Sequence, residues 1–262
     1  DDLDVMEGQA SVAVELIEQL GSAPDRLVLP AGGGGLSSGV TAYLAGIGAP
    51  TRLKLVEPAG GASLSAALKA GEPVTLPRVD NFVDGAAVAR IGDTPFKVLR
   101  QTDPGDVLIA PENRICVTIQ EMLNIEGIVL EPAGALTIDA LVDLGAVIQG
   151  QTIVCVTSGG NFDFERLPEV AERAMRYRGV KKYFILRLPQ RLSRRMKRRR
   201  VYDQDIARFE YLKKSARNFG SVLIGIESGA PESFDTLFAQ MTERGFAYRD
   251  ITEDEVLAEF MI

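Results

Sequence analysis

The chain has 262 residues, 46% of them hydrophobic, and a net charge of -7. That supports one large core or two smaller ones, and it disfavours nucleic-acid binding by the chain as a whole. Histidine is absent, which excludes a Ser-His-Asp or Cys-His mechanism within these residues and leaves a zinc site or other metal site unexpected.

Apolar spacing predicts a helix over Ser11 to Leu20, with Val14, Ile17 and Leu20 on one side. Leu27 to Pro30 then reads as a strand, Leu36 to Ala45 as a helix, Leu53 to Glu57 as a strand and Ser63 to Ala70 as a helix. Asp106 to Ala110 is a short strand, and Asn113 to Leu123 is a helix introduced by Pro111. Ile128 to Glu131 is expected to be a strand, Ala133 to Leu144 a helix, and Ile153 to Thr157 a strand. Strands apolar on both faces and separated by helices predict a parallel sheet covered on both sides. Such sheets bind ligands at the carboxyl ends of their strands. Four tight turns follow strands: Gly32 to Gly35, Glu57 to Gly61, Glu131 to Gly134, and Ser158 to Asn161. Four such turns on one edge point to one site.

The glycine run is the sharpest of these signals. Gly32, Gly33, Gly34 and Gly35 lie between an apolar strand and a helix that begins near Leu36. Glycine costs backbone entropy, so a cluster needs a local reason. Close approach of bare N–H groups to an anion at a helix N-terminus is that reason, and the run reads as a phosphate cup. It is neither a Walker loop nor the dinucleotide Gly-x-Gly-x-x-Gly with its acidic partner.

The last third changes character. Lys182 to Leu188, Ile206 to Lys213, Ser221 to Glu227 and Phe246 to Ile251 read as strands, and Pro231 to Arg244 as a helix capped by Gly245. The order fits a small βαββαβ sandwich. The expected boundary lies between Arg173 and Lys182, giving domains of 1–178 and 179–262. Arg191 to Arg200 carries seven positive charges and no negative one. It reads as a solvated segment rather than a nucleic-acid patch, because no aromatic residue interleaves with the charges. Cys116 and Cys155 are far apart in apolar stretches and read as reduced core residues. No apolar run is long enough to cross a membrane, and the acidic start does not read as a leader, so a cytoplasmic location is expected.

Taken together, these turns resemble the threonine dehydratase (threonine ammonia-lyase) family, fold type II enzymes of pyridoxal 5'-phosphate. The resemblance rests on Asp2 to Gln9, Gly32 to Leu36, Val56-Glu57-Pro58, Asp84 to Val88, Glu131 to Ala135 and Ser158 to Asn161, in that order. It implies a fold type II parallel-sheet portion followed by an ACT-like regulatory domain of the biosynthetic enzymes. It places Gly32 to Gly35 and the Leu36 amide at the cofactor phosphate, with Gly85 close to the cofactor. Ser158 falls where a neutral side chain faces the pyridine nitrogen. Glu57 and Glu131 are expected to face the same site, with their roles open. Related racemases hold a divalent ion with a Glu at position 57 and an Asp six residues later. Here that later residue is Ser63, so no metal is expected. In the second domain Phe209, Glu210 and Tyr211 match regulatory positions. The resemblance further implies L-threonine as substrate, isoleucine or valine as effectors, and a homo-oligomer, tetrameric in the family.

Two departures shape the expectation. The family's lysine lies in a Ser-x-Lys-x-Arg motif and its substrate-carboxylate loop reads Asn-His-Ala-Gln-Gly; neither occurs in these 262 residues. The chain therefore reads as the C-terminal part of a longer enzyme, inactive by itself because the Schiff-base lysine is missing. Arg191 to Gln204 replaces the family's usual helix, and resemblance resumes at Asp205, so isoleucine feedback is expected to be impaired. Two alternatives stand beside this reading: a non-catalytic amino-acid-binding or pyridoxal-phosphate-binding module, and a serine dehydratase or racemase relative.

Overall fold

A computed structural model describes residues 1–189, 204–212 and 219–254. The described structure divides into two units, Asp1–Glu165 and Arg166–Ile262.

The first unit opens with helix α1 (Leu3–Leu20), capped by the Asp2 carboxylate, which accepts from the Asp4 amide, and closed by Gly21 at φ 71°. It starts eight residues before the apolar periodicity does, because Leu3 and Val5 on its first turns are exposed. Then follow β1 (Arg26–Pro30), α2 (Gly35–Gly46), β2 (Arg52–Pro58), α3 (Ser63–Ala70), α4 (Asp93–Leu99), β3 (Val107–Ala110), α5 (Glu112–Glu121), α6 (Pro132–Asp139), α7 (Leu141–Leu144) and β4 (Ile153–Cys155). The strands form one parallel sheet in the order β3-β2-β1-β4. All of β1 is buried, as expected of a central strand covered on both faces. Leu27, Leu29, Val40, Leu44, Leu55, Leu64, Phe96 and Leu99 form its core. Helices α1 and α2 meet backbone to backbone: a Cβ on Gly39 would lie 2.1 Å from the Met6 carbonyl oxygen.

Two expectations are corrected here. Ile128 to Glu131 is not a strand. The end of α5 runs into a π-helical turn over Met122–Glu126, and the Ile128 amide closes back onto the Met122 carbonyl. Ile128 and Val129 remain exposed, so the apolar tetrapeptide does not enter the sheet. The helix expected over Ala133 to Leu144 is two helices, broken at Ala140. Arg114 ties this region together. Its guanidinium reaches Asp139 at 2.8 Å and Asp143 at 2.6 Å, and Thr118 donates to Asp139. Both cysteines are free, and burial pushes the Cys155 thiol up to about 11.

The second unit holds α8 (Leu167–Tyr177), β5 (Lys181–Pro189), β6 (Gln204–Leu212), β7 (Phe219–Ser228), α9 (Ser233–Glu243) and β8 (Ala247–Asp250). Helix α8 falls in the second unit, in residues that the expected boundary of 178/179 assigns to the first domain. The antiparallel sheet has the order β6-β7-β5-β8, in which β7 separates β5 from β6 as the split pattern requires. Phe234 and Met241 of α9 pack on Phe184, Leu186, Val222 and Ile224. On Lys181, burial would lower the pKa, but hydrogen bonds to Glu172 (2.5 Å) and Glu227 (2.8 Å) carry it above its ordinary value. The stretch expected to replace the family's usual helix between β5 and β6, with the basic run Arg191 to Arg200, lies outside the described residues up to Gln204.

Candidate cofactor-phosphate site

The glycine run sits at the carboxyl end of β1. Gly34 is the N-cap of α2 at φ 91°, a left-handed conformation that disfavours any side chain, and a Cβ there would lie 2.7 Å from Pro95 Cβ. No side chain caps α2, so its first-turn amides keep the orientation of an anion site. The carbonyls are held from the other side. Ser37 Oγ donates to the Gly34 carbonyl at 3.3 Å and Ser38 Oγ to the Gly35 carbonyl at 3.2 Å, both serines being fully buried. The Gly92 amide donates to the Gly33 carbonyl at 3.1 Å. Gly33 itself is exposed, and a Cβ on it would meet nothing within 4 Å. Leu36 packs down onto the sheet core and anchors the first turn.

Three further loops close on this one. A Cβ on Gly32 would lie 3.0 Å from the Ala86 carbonyl oxygen. One on Gly85 would lie 2.9 Å from Ala133 Cβ and 3.3 Å from Glu131 Oε1. On Gly159 it would lie 1.8 Å from Glu131 Oε1, and on Gly134 2.1 Å from the Gly159 carbonyl oxygen. The Glu131 amide also donates to the Gly159 carbonyl at 3.2 Å. Gly32, Gly85, Glu131 and the turn after Ser158 are therefore neighbours at one sheet edge. Ser158 is exposed there.

Glu57 occupies a different station. It is fully buried, and its Oε1 accepts from the Leu64 amide at 2.6 Å while Oε2 accepts from the Ser65 amide at 2.9 Å and Ser65 Oγ at 2.7 Å. It caps α3. Burial raises its pKa against these three hydrogen bonds. Phe209 and Glu210 lie on β6, with Phe209 exposed and Glu210 paired to Arg208 at 2.7 Å. In the β6–β7 register Tyr211 is the backbone partner of Val222. Sequence reasoning missed Ser37 and Ser38, and it names Gly134 only as the end of the Glu131 turn. The serine pair that follows Leu36, one residue beyond the glycine run, was the available signal for both.

A family model described as pyridoxal-phosphate dependent enzyme matches residues 1–159. The chain belongs to that family. A second model, the C-terminal regulatory domain of threonine dehydratase, matches residues 172–261. The biosynthetic L-threonine dehydratase IlvA of Bacillus subtilis (strain 168) is 41% identical over 268 residues, covering 100% of this chain and 63% of its own length. That of Mycobacterium leprae is 44% identical over 247 residues, covering 92% of this chain and 57% of its own. Among solved structures, the processed form of threonine deaminase isoform 2 from Solanum lycopersicum superposes with a TM-score of 0.61 at 33% identity, over 66% of this chain and 51% of that one. Maize serine racemase does so with a TM-score of 0.56 at 29% identity, over 64% and 52%. The chain thus spans less than two thirds of the curated relatives it matches.

The residues present fit the phosphate end of this family's cofactor. The uncapped N-terminus of α2, the open space at Gly33 and the buried serines that hold the loop carbonyls form a cradle for a phosphate. Among the described residues no helix is long and apolar enough to cross a membrane.

Proposed function

We propose that this chain is the cofactor-phosphate and regulatory part of an L-threonine ammonia-lyase, which forms 2-oxobutanoate and ammonia at the first step of isoleucine synthesis in the cytoplasm. The observation that carries the reading is the uncapped α2 N-terminus behind an open Gly33, with Gly85, Glu131 and the Ser158 turn gathered beside it. When bound, pyridoxal phosphate supplies the electron sink for loss of the β-hydroxyl. The chain's own residues hold it. The amides from Gly33 to Leu36 donate to the phosphate, and Gly32 and Gly85 admit backbone close to the ring. The Ser158 hydroxyl, a neutral partner, leaves the pyridine nitrogen unprotonated and so moderates the sink. Glu131, braced between Gly85 and Gly159, shapes the wall between them. Glu57 supports the site by fixing α3.

The lysine that would move the substrate α-proton belongs to a Ser-x-Lys-x-Arg motif, which these residues do not contain. The 262-residue chain alone is therefore inactive. The second unit takes amino-acid effectors, with Phe209, Glu210 and Tyr211 of β6 as its candidate contacts. The intact enzyme is a homo-oligomer.

The test joins this chain to the lysine-bearing remainder of a relative. The fusion should form 2-oxobutanoate from threonine faster than pyruvate from serine, and the chain alone should form neither. A preference for serine would favour the serine dehydratase reading. A missing lysine motif also suits an amino-acid-binding module, and a fusion that binds pyridoxal phosphate without turnover would support that instead.

A further inference from the structure

Strand β4 ends at Cys155, and the turn that follows it carries Ser158. Helix α6 and the residue before it hold that turn at two points. At the far end the Glu131 amide donates to the Gly159 carbonyl at 3.2 Å. At the near end Thr137 Oγ1 donates to the Val156 carbonyl at 3.1 Å. Thr137 is fully buried. A helical threonine ordinarily returns its hydroxyl to the carbonyl four residues back, as Thr41 does to Ser37 at 2.6 Å and Thr242 to Phe238 at 2.9 Å. Thr137 gives its hydroxyl to another element instead.

The strand ladder shows what that hydroxyl replaces. In the parallel pairing of β1 with β4, Arg26 is opposite Ile153 and Val28 is opposite Cys155. The Arg26 amide donates to the Thr152 carbonyl at 3.1 Å, and the Val156 amide donates to the Val28 carbonyl at 3.0 Å. Continued by two more residues, the same alternation brings the amide of residue 30 to the Val156 carbonyl. Residue 30 is proline and has no N–H to give. Without Thr137 the Val156 carbonyl would lose its partner two residues before Ser158.

We propose that Thr137 is a positioning residue for Ser158. Its hydroxyl stands in for the amide that Pro30 lacks, and it fixes the start of the turn so that the Ser158 hydroxyl meets the ring nitrogen of pyridoxal phosphate. The inference rests on the reading of Ser158 as the neutral partner of that nitrogen.

The experiment titrates the 262-residue chain with pyridoxal phosphate and with its deaza analogue, in which a C–H replaces the ring nitrogen. The ratio of the two affinities reports the bond to the nitrogen alone. One neutral hydrogen bond makes that preference about fivefold in the parent. Ser158→Ala should abolish it. Thr137→Val keeps the shape of the side chain without the hydroxyl and should remove most of it, while Thr137→Ser should restore it. Pro30→Ala returns an amide to residue 30, so Pro30→Ala combined with Thr137→Val should also recover the preference. Loss of packing alone would weaken both compounds alike and leave the ratio unchanged.

A preference that Ser158→Ala abolishes and Thr137→Val leaves in place would overturn the proposal and keep the reading of Ser158. So would a loss that Thr137→Ser does not restore. No preference in the parent would overturn that reading and the proposal with it. Thermal melts show which variants fold. If Thr137→Val does not, the double variant decides: folded with the parent's preference it supports the proposal, and unfolded or without the preference it overturns it.

Discussion

Glu131 fills the space that any side chain on residue 159 would need: its Oε1 lies 1.8 Å from the position of a Cβ there. The two residues belong to different turns, and the same carboxylate also borders Gly85. Gly159→Ala should therefore displace Glu131 and weaken pyridoxal phosphate binding, while costing the fold about 1–3 kcal/mol as overpacking. Adding Glu131→Ala should recover most of the stability without the affinity. Urea unfolding of the single and double variants, with a cofactor titration, measures both.

Gly134→Ala should be more damaging. Its Cβ would lie 2.1 Å from the Gly159 carbonyl oxygen, which is backbone and has no rotamer to change. A loss of about 3 kcal/mol or more is expected by chemical denaturation.

Arg114→Ala should cost about 3–5 kcal/mol, because Asp139, with its side chain 1% exposed, would keep a buried charge with only Thr118 as partner. Asp143, more exposed, should matter less: Asp143→Ala leaves the Arg114–Asp139 pair in place. The same denaturation series separates them.

Glu57 gives a pH signature. Its folded pKa is raised above the ordinary 4.5, mainly by burial, so the folded state holds its proton to higher pH than the unfolded state. The Glu57 contribution is fully present below 4.5 and is lost as pH rises through the raised folded value. Asp139 shifts in the same direction, by burial against its Arg114 and Thr118 contacts, so the comparison must be between variants. Glu57→Gln should show a shallower fall of stability with pH than the parent. At neutral pH it should be about 1–2 kcal/mol less stable, from poorer capping of Leu64 and Ser65.

Much of this was legible in the sequence because the signals are local. A glycine run between an apolar strand and a helix can be read without knowing the fold, and α2 does begin at Gly35. In the second unit the strand pattern marked β5 and β7 within a few residues, and the helix expected over Pro231 to Arg244 is α9. The failures have a common cause. Ile128 to Glu131 has the composition of a buried strand, but the chain enters it from a π-helical turn that residue spacing does not announce, and Ile128 and Val129 stay exposed. Helix α4 has only seven residues and carries Pro95, so periodicity could not reveal it. The gathering of Gly85, Glu131 and Gly159 depends on contacts between turns far apart in the chain, and each alone reads as an ordinary turn. Glu57 looked like a site residue because it ends a strand; its commitment to α3 is visible only in the geometry.

The most direct measurement titrates the 262-residue chain with pyridoxal phosphate, then with pyridoxal, and repeats both with Gly33→Asp. Nothing lies within 4 Å of a Cβ at Gly33, so the variant should fold as the parent does while placing a negative charge in the cup. Binding that requires the phosphate, and that Gly33→Asp weakens at least tenfold at an unchanged melting temperature, is the predicted result. Equal affinity for pyridoxal, or phosphate-dependent binding that Gly33→Asp leaves untouched, would contradict the assignment of this loop as the phosphate cup.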